Sequence, residues 1–176
     1  GNSIDGTQAE YVRIPYADTG LYLLPPEAND EAMVMLSCVL PTGLECGTLQ
    51  GQVKPGDIVA IVGGGPVGLA TLLTTQLYSP AKIVMIDRDD HRLMVARSLG
   101  ATETVNSSDG KAAERVMALT HDAGVDVAIE AVGLPATFDI CQAIIAPGGR
   151  IANVGVHAKP VEFHLERLWA SNITLT

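Results

Sequence analysis

Positive charge is scarce in this chain. Eleven lysines and arginines stand against twenty aspartates and glutamates in 176 residues, a formal net charge of −9. The basic residues are scattered and form no stripe. Nucleic-acid binding needs a positive surface that displaces phosphate counterions, so that class of partner is excluded. A polybasic membrane contact fails on the same ground. Cysteine is sparse too, with Cys38, Cys46 and Cys141 alone. An odd, small number without a short pairing motif argues against a secreted disulfide scaffold and for a reducing cytoplasm. No apolar stretch has both the length and the freedom from breakers that a membrane helix needs, and no signal peptide is visible. Low-complexity runs and repeats of solenoid length are missing. So is an initiator methionine: the chain begins Gly1-Asn2-Ser3 and ends Ile173-Thr174-Leu175-Thr176, which reads as a strand cut short. A piece of a longer protein is expected.

What is present is ample apolar content. Hydrophobic residues make up 47% and charged residues 18%, enough to build a core and too little charge for a disordered chain. Residues 7–24 read as short extended pieces, with Tyr11, Val12 and Ile14 favouring strand and Pro15, Gly20, Pro25 and Pro26 as punctuation. Pro26 followed by Glu27, Asp30 and Glu31 reads as a helix start. Pro41 should break or restart that helix, with a second helical segment from Thr42 to Leu49.

From Lys54 onward strands and helices alternate. Ile58 to Val62 is a continuous β-branched run, as in a strand buried on both faces. Further strands are predicted over 83–86, 103–105, 125–131, 151–154 and from 173. Helices are predicted over 67–77, 91–99, 111–120, 136–145 and 165–169. Pro147-Gly148-Gly149 reads as a turn into the fifth strand. Six strands with right-handed helical crossovers imply an α/β fold, a doubly wound parallel Rossmann sheet in the order 3-2-1-4-5-6.

Between the first strand and its helix lies Gly63-Gly64-Gly65-Pro66-Val67-Gly68, a match to G-x-G-x-x-G in the strand-to-helix position where the motif has physical meaning. Gly63 permits a tight turn, Gly65 lets a pyrophosphate approach the backbone, and Gly68 is expected to let the helix pack closely on the sheet. Pro66 and Val67 open a helix whose N-terminal N–H groups favour an anion. Asp87, nineteen residues after Gly68, ends the second strand. An acid there accepts from the adenosine ribose hydroxyls and repels a 2′-phosphate, which favours NAD over NADP. Arg88 and Arg92 are candidates for the ribose or phosphate region, and Arg88 bears on how much NADP is used.

Several segments together resemble the medium-chain zinc-dependent alcohol dehydrogenases. They are Gly6 to Tyr11, Leu36-Ser37-Cys38 with Thr42-Gly43, Val53 to Asp57, and Gly63 to Gly68. Downstream, Gly100-Ala101-Thr102, Asp126 to Ala131 with Gly133, and Gly148-Gly149-Arg150 fit as well. The resemblance implies that residues 1–36 end an N-terminal catalytic (GroES-like) domain and that 37–176 form the dinucleotide-binding domain. It implies that Cys38 is one ligand of a catalytic zinc in the full-length parent, and that Thr42 touches the nicotinamide as a catalytic and cofactor-binding residue. Ala131, Val132 and Gly133, and Val154, Gly155 and Val156, would line the nicotinamide half of the cofactor. The implied reaction is hydride transfer between a small alcohol and NAD, with a ketone or aldehyde as product; the members resembled are of the secondary-alcohol type, for which the product is a ketone. The family's other zinc ligands would precede Gly1, so this piece is expected to bind cofactor and to be inactive alone. A homo-oligomeric parent is expected. Cys46 and Cys141 read as packing residues, and His91, His121, His157 and His164 as isolated surface or helix histidines. Two alternatives stay open: a zinc-free NADPH quinone or enoyl reductase of the same superfamily, and a non-catalytic nucleotide-sensing module.

Overall fold

The computed structural model describes residues 3–176, and the Gly1-Asn2 start of the chain lies outside them. The chain divides into two compact units, one running up to Met33 and the other Val34–Thr176. The boundary expected at 36/37 thus falls just inside the second unit.

In the first unit the described residues hold two one-turn helices, α1 (Ala17–Gly20) and α2 (Asp30–Met33). The extended pieces expected over 7–24 form no strand. A strand's backbone groups need a neighbouring strand, and Tyr11, Val12 and Ile14 are exposed instead. The helix expected from Pro26 starts later. Asn29 caps it, its Oδ1 accepting from the Ala32 N–H at 3.0 Å, as a short polar side chain does best at that position.

The second unit opens with a 3₁₀ turn, Val34–Ser37, then α3 (Val39–Thr42) and a π-helical segment, Gly43–Leu49. The break lies at Cys38, whose φ/ψ of −150°/−52° is not helical, rather than at Pro41. Pro41 sits in the first turn of α3, where a missing N–H costs nothing.

The sheet follows as read. β1 (Ile58–Val62), α4 (Pro66–Thr75), β2 (Lys82–Asp87), α5 (Asp90–Ser98) and β3 (Glu103–Asn106) build one half. The other half is α6 (Ala112–Leu119), β4 (Val125–Glu130), α7 (Pro135–Ile144), β5 (Ile145–Asn153), α8 (Leu165–Leu168) and β6 (Thr174–Leu175). All pairings are parallel and the order is β3-β2-β1-β4-β5-β6. Strand residues alternate between two cores. Val59, Ile61, Ile83, Met85, Val127 and Ile129 pack with Leu72 of α4 and Leu93 and Ala96 of α5. Ala60, Val62, Val84, Ile86 and Ala128 pack with Val116 of α6 and Phe138, Cys141 and Ile144 of α7. The first two crossovers therefore cover one face and the next two the other. The order in which strands are added reverses between β1 and β4, the first three running outward to one side and the last three to the other; their ends lie level because Val62 pairs with Glu130.

One prediction needs correcting. Pro147-Gly148-Gly149 does not precede β5 but interrupts it. Val125 pairs with Ile145 and Val127 with Arg150, so the proline and glycines are looped out as a bulge. No single helix among the described residues is long and apolar enough to cross a membrane.

Candidate functional site

The glycine loop leaves β1 where the strand order reverses, the usual place for a ligand crevice in a doubly wound sheet. Gly63 has φ +112°, and its N–H donates to the Ile86 carbonyl at 2.8 Å, tying the loop to β2. A side chain there would also meet Val132 Cγ2 at 2.5 Å. Gly65 differs: a Cβ built on it meets nothing within 4 Å. The protein itself makes no use of that space, which is where a phosphate would approach. Gly65 also caps α4 without a side-chain bond, and Pro66 is its first residue. The first-turn N–H groups of a helix so begun are left for an anion. Gly68 is needed for a different reason than expected. Its Cβ would fall 1.8 Å from the Gly63 carbonyl oxygen, so the close approach is to the loop's own first glycine.

Asp87 has a structural task that its spacing did not reveal. Its Oδ2 accepts from the Gly64 N–H at 2.6 Å and its Oδ1 from the Asp89 N–H at 2.9 Å. Arg92 Nη1 lies 3.7 Å from Oδ2, and the Asp87 side chain is 10% exposed. The carboxylate therefore holds the glycine loop, and only a small part of it remains exposed. Arg88 is exposed, and its carbonyl accepts from the Asn106 side chain at 3.3 Å. Asp89 caps α5, accepting from the N–H groups of His91 at 2.8 Å and Arg92 at 3.2 Å. Those two bonds hold its carboxyl below the ordinary value of 3.8.

The far side of the crevice is built from the loops after β4 and β5. Glu130, the last residue of β4, is fully buried. Its Oε1 accepts from the Val132 N–H at 3.1 Å, the Gly133 N–H at 3.0 Å and the Thr137 hydroxyl at 2.6 Å. Its backbone carbonyl accepts from the N–H groups of Val154 at 2.8 Å and Gly155 at 3.0 Å. The two loops touch backbone to backbone. A Cβ on Gly155 would lie 2.2 Å from the Gly133 nitrogen, and one on Gly133, whose φ is +89°, would lie 2.4 Å from the Val156 carbonyl. Ala131 is half-buried, while Val132 and Val156 expose apolar side chains. His157 is not isolated as expected. Its ring is largely buried, with Nε2 2.8 Å from Asn153 Oδ1 and 3.5 Å from Glu130 Oε2. His164 also has neighbours, with Asp139 at 3.5 Å and Glu166 at 3.3 Å. Both histidines and Glu130 were missed because neither periodicity nor spacing marks them. A lone acid closing an apolar strand, with Gly133 and Gly155 after consecutive strands, was the available signal.

Cys38 and Thr42 lie four residues apart and share a face of the helical turn. Sγ is 3.8 Å from Oγ1; Cys38 is exposed and Thr42 half-exposed. The segment that carries them is pressed against α4. A Cβ on Gly43 would lie 2.6 Å from the Thr71 nitrogen, and one on Gly47 2.9 Å from Thr71 Cγ2. Thr48 Oγ1 is bonded to Thr74 Oγ1 at 2.9 Å. Cys46 is exposed, contrary to its reading as a packing residue, because Gly43 and Gly47 take the inner face. Cys141 is buried as expected, and burial pushes its thiol well above the usual range. Among the described residues no three metal-binding side chains come together. Cys38 alone does not make a zinc site, so these residues do not by themselves fit the metal.

Comparison with known proteins places the geometry in a family. The family model described as "Zinc-binding dehydrogenase" matches residues 66–176. A solved zinc-dependent alcohol dehydrogenase 2 from Streptococcus pneumonia superposes with a TM-score of 0.93 at 60% identity, over 98% of this chain and 49% of that one. An alcohol dehydrogenase of Cupriavidus necator is 38% identical over 165 residues, 94% of this chain and 45% of the relative. An NADP-dependent isopropanol dehydrogenase of Thermoanaerobacter brockii is 35% identical over 153 residues, 87% of this chain and 43% of the relative. The chain thus spans about half the length of the relatives it matches. It belongs to the zinc-binding dehydrogenases of the medium-chain dehydrogenase/reductase family.

Proposed function

We propose that this chain is the NAD-binding half of a zinc-dependent alcohol dehydrogenase acting on a small, secondary alcohol. The observation that carries the cofactor assignment is the empty space over Gly65 at the start of an uncapped helix, flanked by Asp87. In this reading the first-turn N–H groups of α4 and the Gly63–Gly68 backbone hold the pyrophosphate. Asp87 holds the loop with one oxygen and takes the ribose hydroxyls on the part left exposed. Ala131 to Gly133 and Val154 to Val156 form the wall against the nicotinamide, and Thr42 faces it from α3. The bound nicotinamide supplies hydride transfer, with the protein providing orientation and exclusion of water. Cys38 is one zinc donor of the whole protein, and the remaining donors belong outside the described residues.

The choice of NAD over NADP rests on Asp87, because a related isopropanol dehydrogenase is named for NADP. An exposed Arg88 beside it makes the preference a matter of measurement. Calorimetric titration of the chain with NAD and, separately, NADP tests the reading. NAD binding at least about tenfold tighter than NADP supports it, a difference of about 1.4 kcal/mol. Tighter NADP binding overturns the Asp87 role. Absence of binding to either, in a chain that melts cooperatively, overturns the dinucleotide assignment.

A further inference from the structure

The buried chain Asn153–His157–Glu130 has no part in the fold's two cores or in the cradle around Gly65. It joins the loops after β5 and β4. The Asn153 side chain donates through Nδ2 to the Gly155 carbonyl at 3.1 Å, so its Oδ1 is the oxygen that faces His157 Nε2 at 2.8 Å. Nε2 therefore carries the proton. The same nitrogen lies 3.5 Å from Glu130 Oε2, while Phe138 packs edge-on against the imidazole with ring centroids 6.0 Å apart. Glu130 Oε2 also accepts from the Gly133 N–H at 3.1 Å. The connection runs from the β5 loop, through an imidazole, to the carboxylate that orders the β4 loop. Its inner members are sequestered, while Val132 and Val156, in the loops they join, have exposed side chains.

From this arrangement we infer that His157, acting with Glu130, is a positioning residue for the nicotinamide end of the crevice. It fixes the separation of the 131–133 and 154–156 backbones and does not itself touch the cofactor. The inference rests on the dinucleotide reading above and assigns a residue that reading leaves out. It makes a specific demand: disturbing His157 should affect a ligand's nicotinamide end and spare its adenosine end, which the Gly63–Gly68 loop and Asp87 hold.

The test compares NADH with ADP-ribose, which keeps the adenosine, pyrophosphate and second ribose but lacks the nicotinamide. Binding of each to the full chain is titrated for wild type, His157→Ala and His157→Gln. Glutamine keeps an N–H donor for Asn153. His157→Ala is expected to weaken NADH about tenfold, the worth of one well-placed hydrogen bond, and to leave ADP-ribose within about twofold. His157→Gln should recover most of the NADH affinity. Equal weakening of both ligands, or unchanged NADH binding by His157→Ala, overturns the positioning role while leaving the dinucleotide site standing. Wild type that binds neither ligand overturns both. Thermal melts of the two variants show that each is folded under the conditions of the titration.

Discussion

The two walls of the crevice are built on opposite plans. On the β1 side, one aspartate holds the glycine loop through a single bond to Gly64, and the space over Gly65 is left empty. On the β4–β5 side, a fully buried glutamate gathers two backbone N–H groups and a hydroxyl, and two glycines leave no room for even a methyl group. The first wall is held open by its backbone. The second is drawn together by its own backbone contacts around the buried Glu130 carboxylate. Under the proposed reading, the wall that would admit a charged group keeps its donors unspent, and the wall that would meet a flat ring is locked.

The same substitution should therefore have opposite effects on the two walls. Gly155→Ala drives a methyl to 2.2 Å from Glu130 Oε2 and from the Gly133 nitrogen. It should lower stability by about 3 kcal/mol or more, because neither neighbour can retreat; a denaturant melt close to wild type would show that this wall is soft. Gly65→Ala, at φ −75° and ψ −178°, places its methyl in open space. Its stability should stay within about 1 kcal/mol of wild type, while dinucleotide affinity falls by at least about tenfold from the lost backbone approach. Full affinity in Gly65→Ala would place the phosphate elsewhere.

Asp87→Asn gives a smaller effect and separates the two tasks of that residue. An amide oxygen can still accept from Gly64, but the charge that opposes a 2′-phosphate is gone. The NADP-to-NAD affinity ratio should rise about fivefold, equivalent to about 1 kcal/mol of repulsion removed. An unchanged ratio would show that Asp87 serves the loop alone. The smallest effect belongs to Asp89. Its carboxyl sits below its ordinary value of 3.8 when folded, so its stabilisation of α5 is present above that value and is lost as pH falls through the lower folded one. Asp89→Ala should melt slightly below wild type at neutral pH, and the two curves should converge in acid. A gap that persists in acid would assign the effect to something other than the charged cap.

Much of this was legible in the sequence, for a physical reason. Parallel strands buried on both faces are written as unbroken apolar runs, so Ile58–Val62 could be read to the residue. Gly63 to Gly68 and Asp87 obey spacing rules that follow from backbone geometry. What escaped was held by contacts distant in sequence. Glu130 and His157 meet only because β4 and β5 are neighbours. The Pro147–Gly149 bulge depends on a register shift that no local pattern records. Tyr11, Val12 and Ile14 have strand-forming side chains, yet β propensity without a pairing neighbour does not make a strand.

The pressed contact between Gly43, Gly47 and the Thr71 region of α4 bears on where this module can be cut. By sequence pattern a protein engineer would take Lys54, where alternation begins, as the start of a transplantable nucleotide-binding cassette. The glycine stripe and the Thr48 hydroxyl bonded to Thr74 make the preceding helical segment a permanent lid on α4. A graft begun at Lys54 would strip that lid and expose Thr71, Thr74 and Thr75, which are now buried. The working seam lies upstream, near the backbone break at Cys38. A hybrid dehydrogenase joined there would carry its cassette with this lid attached.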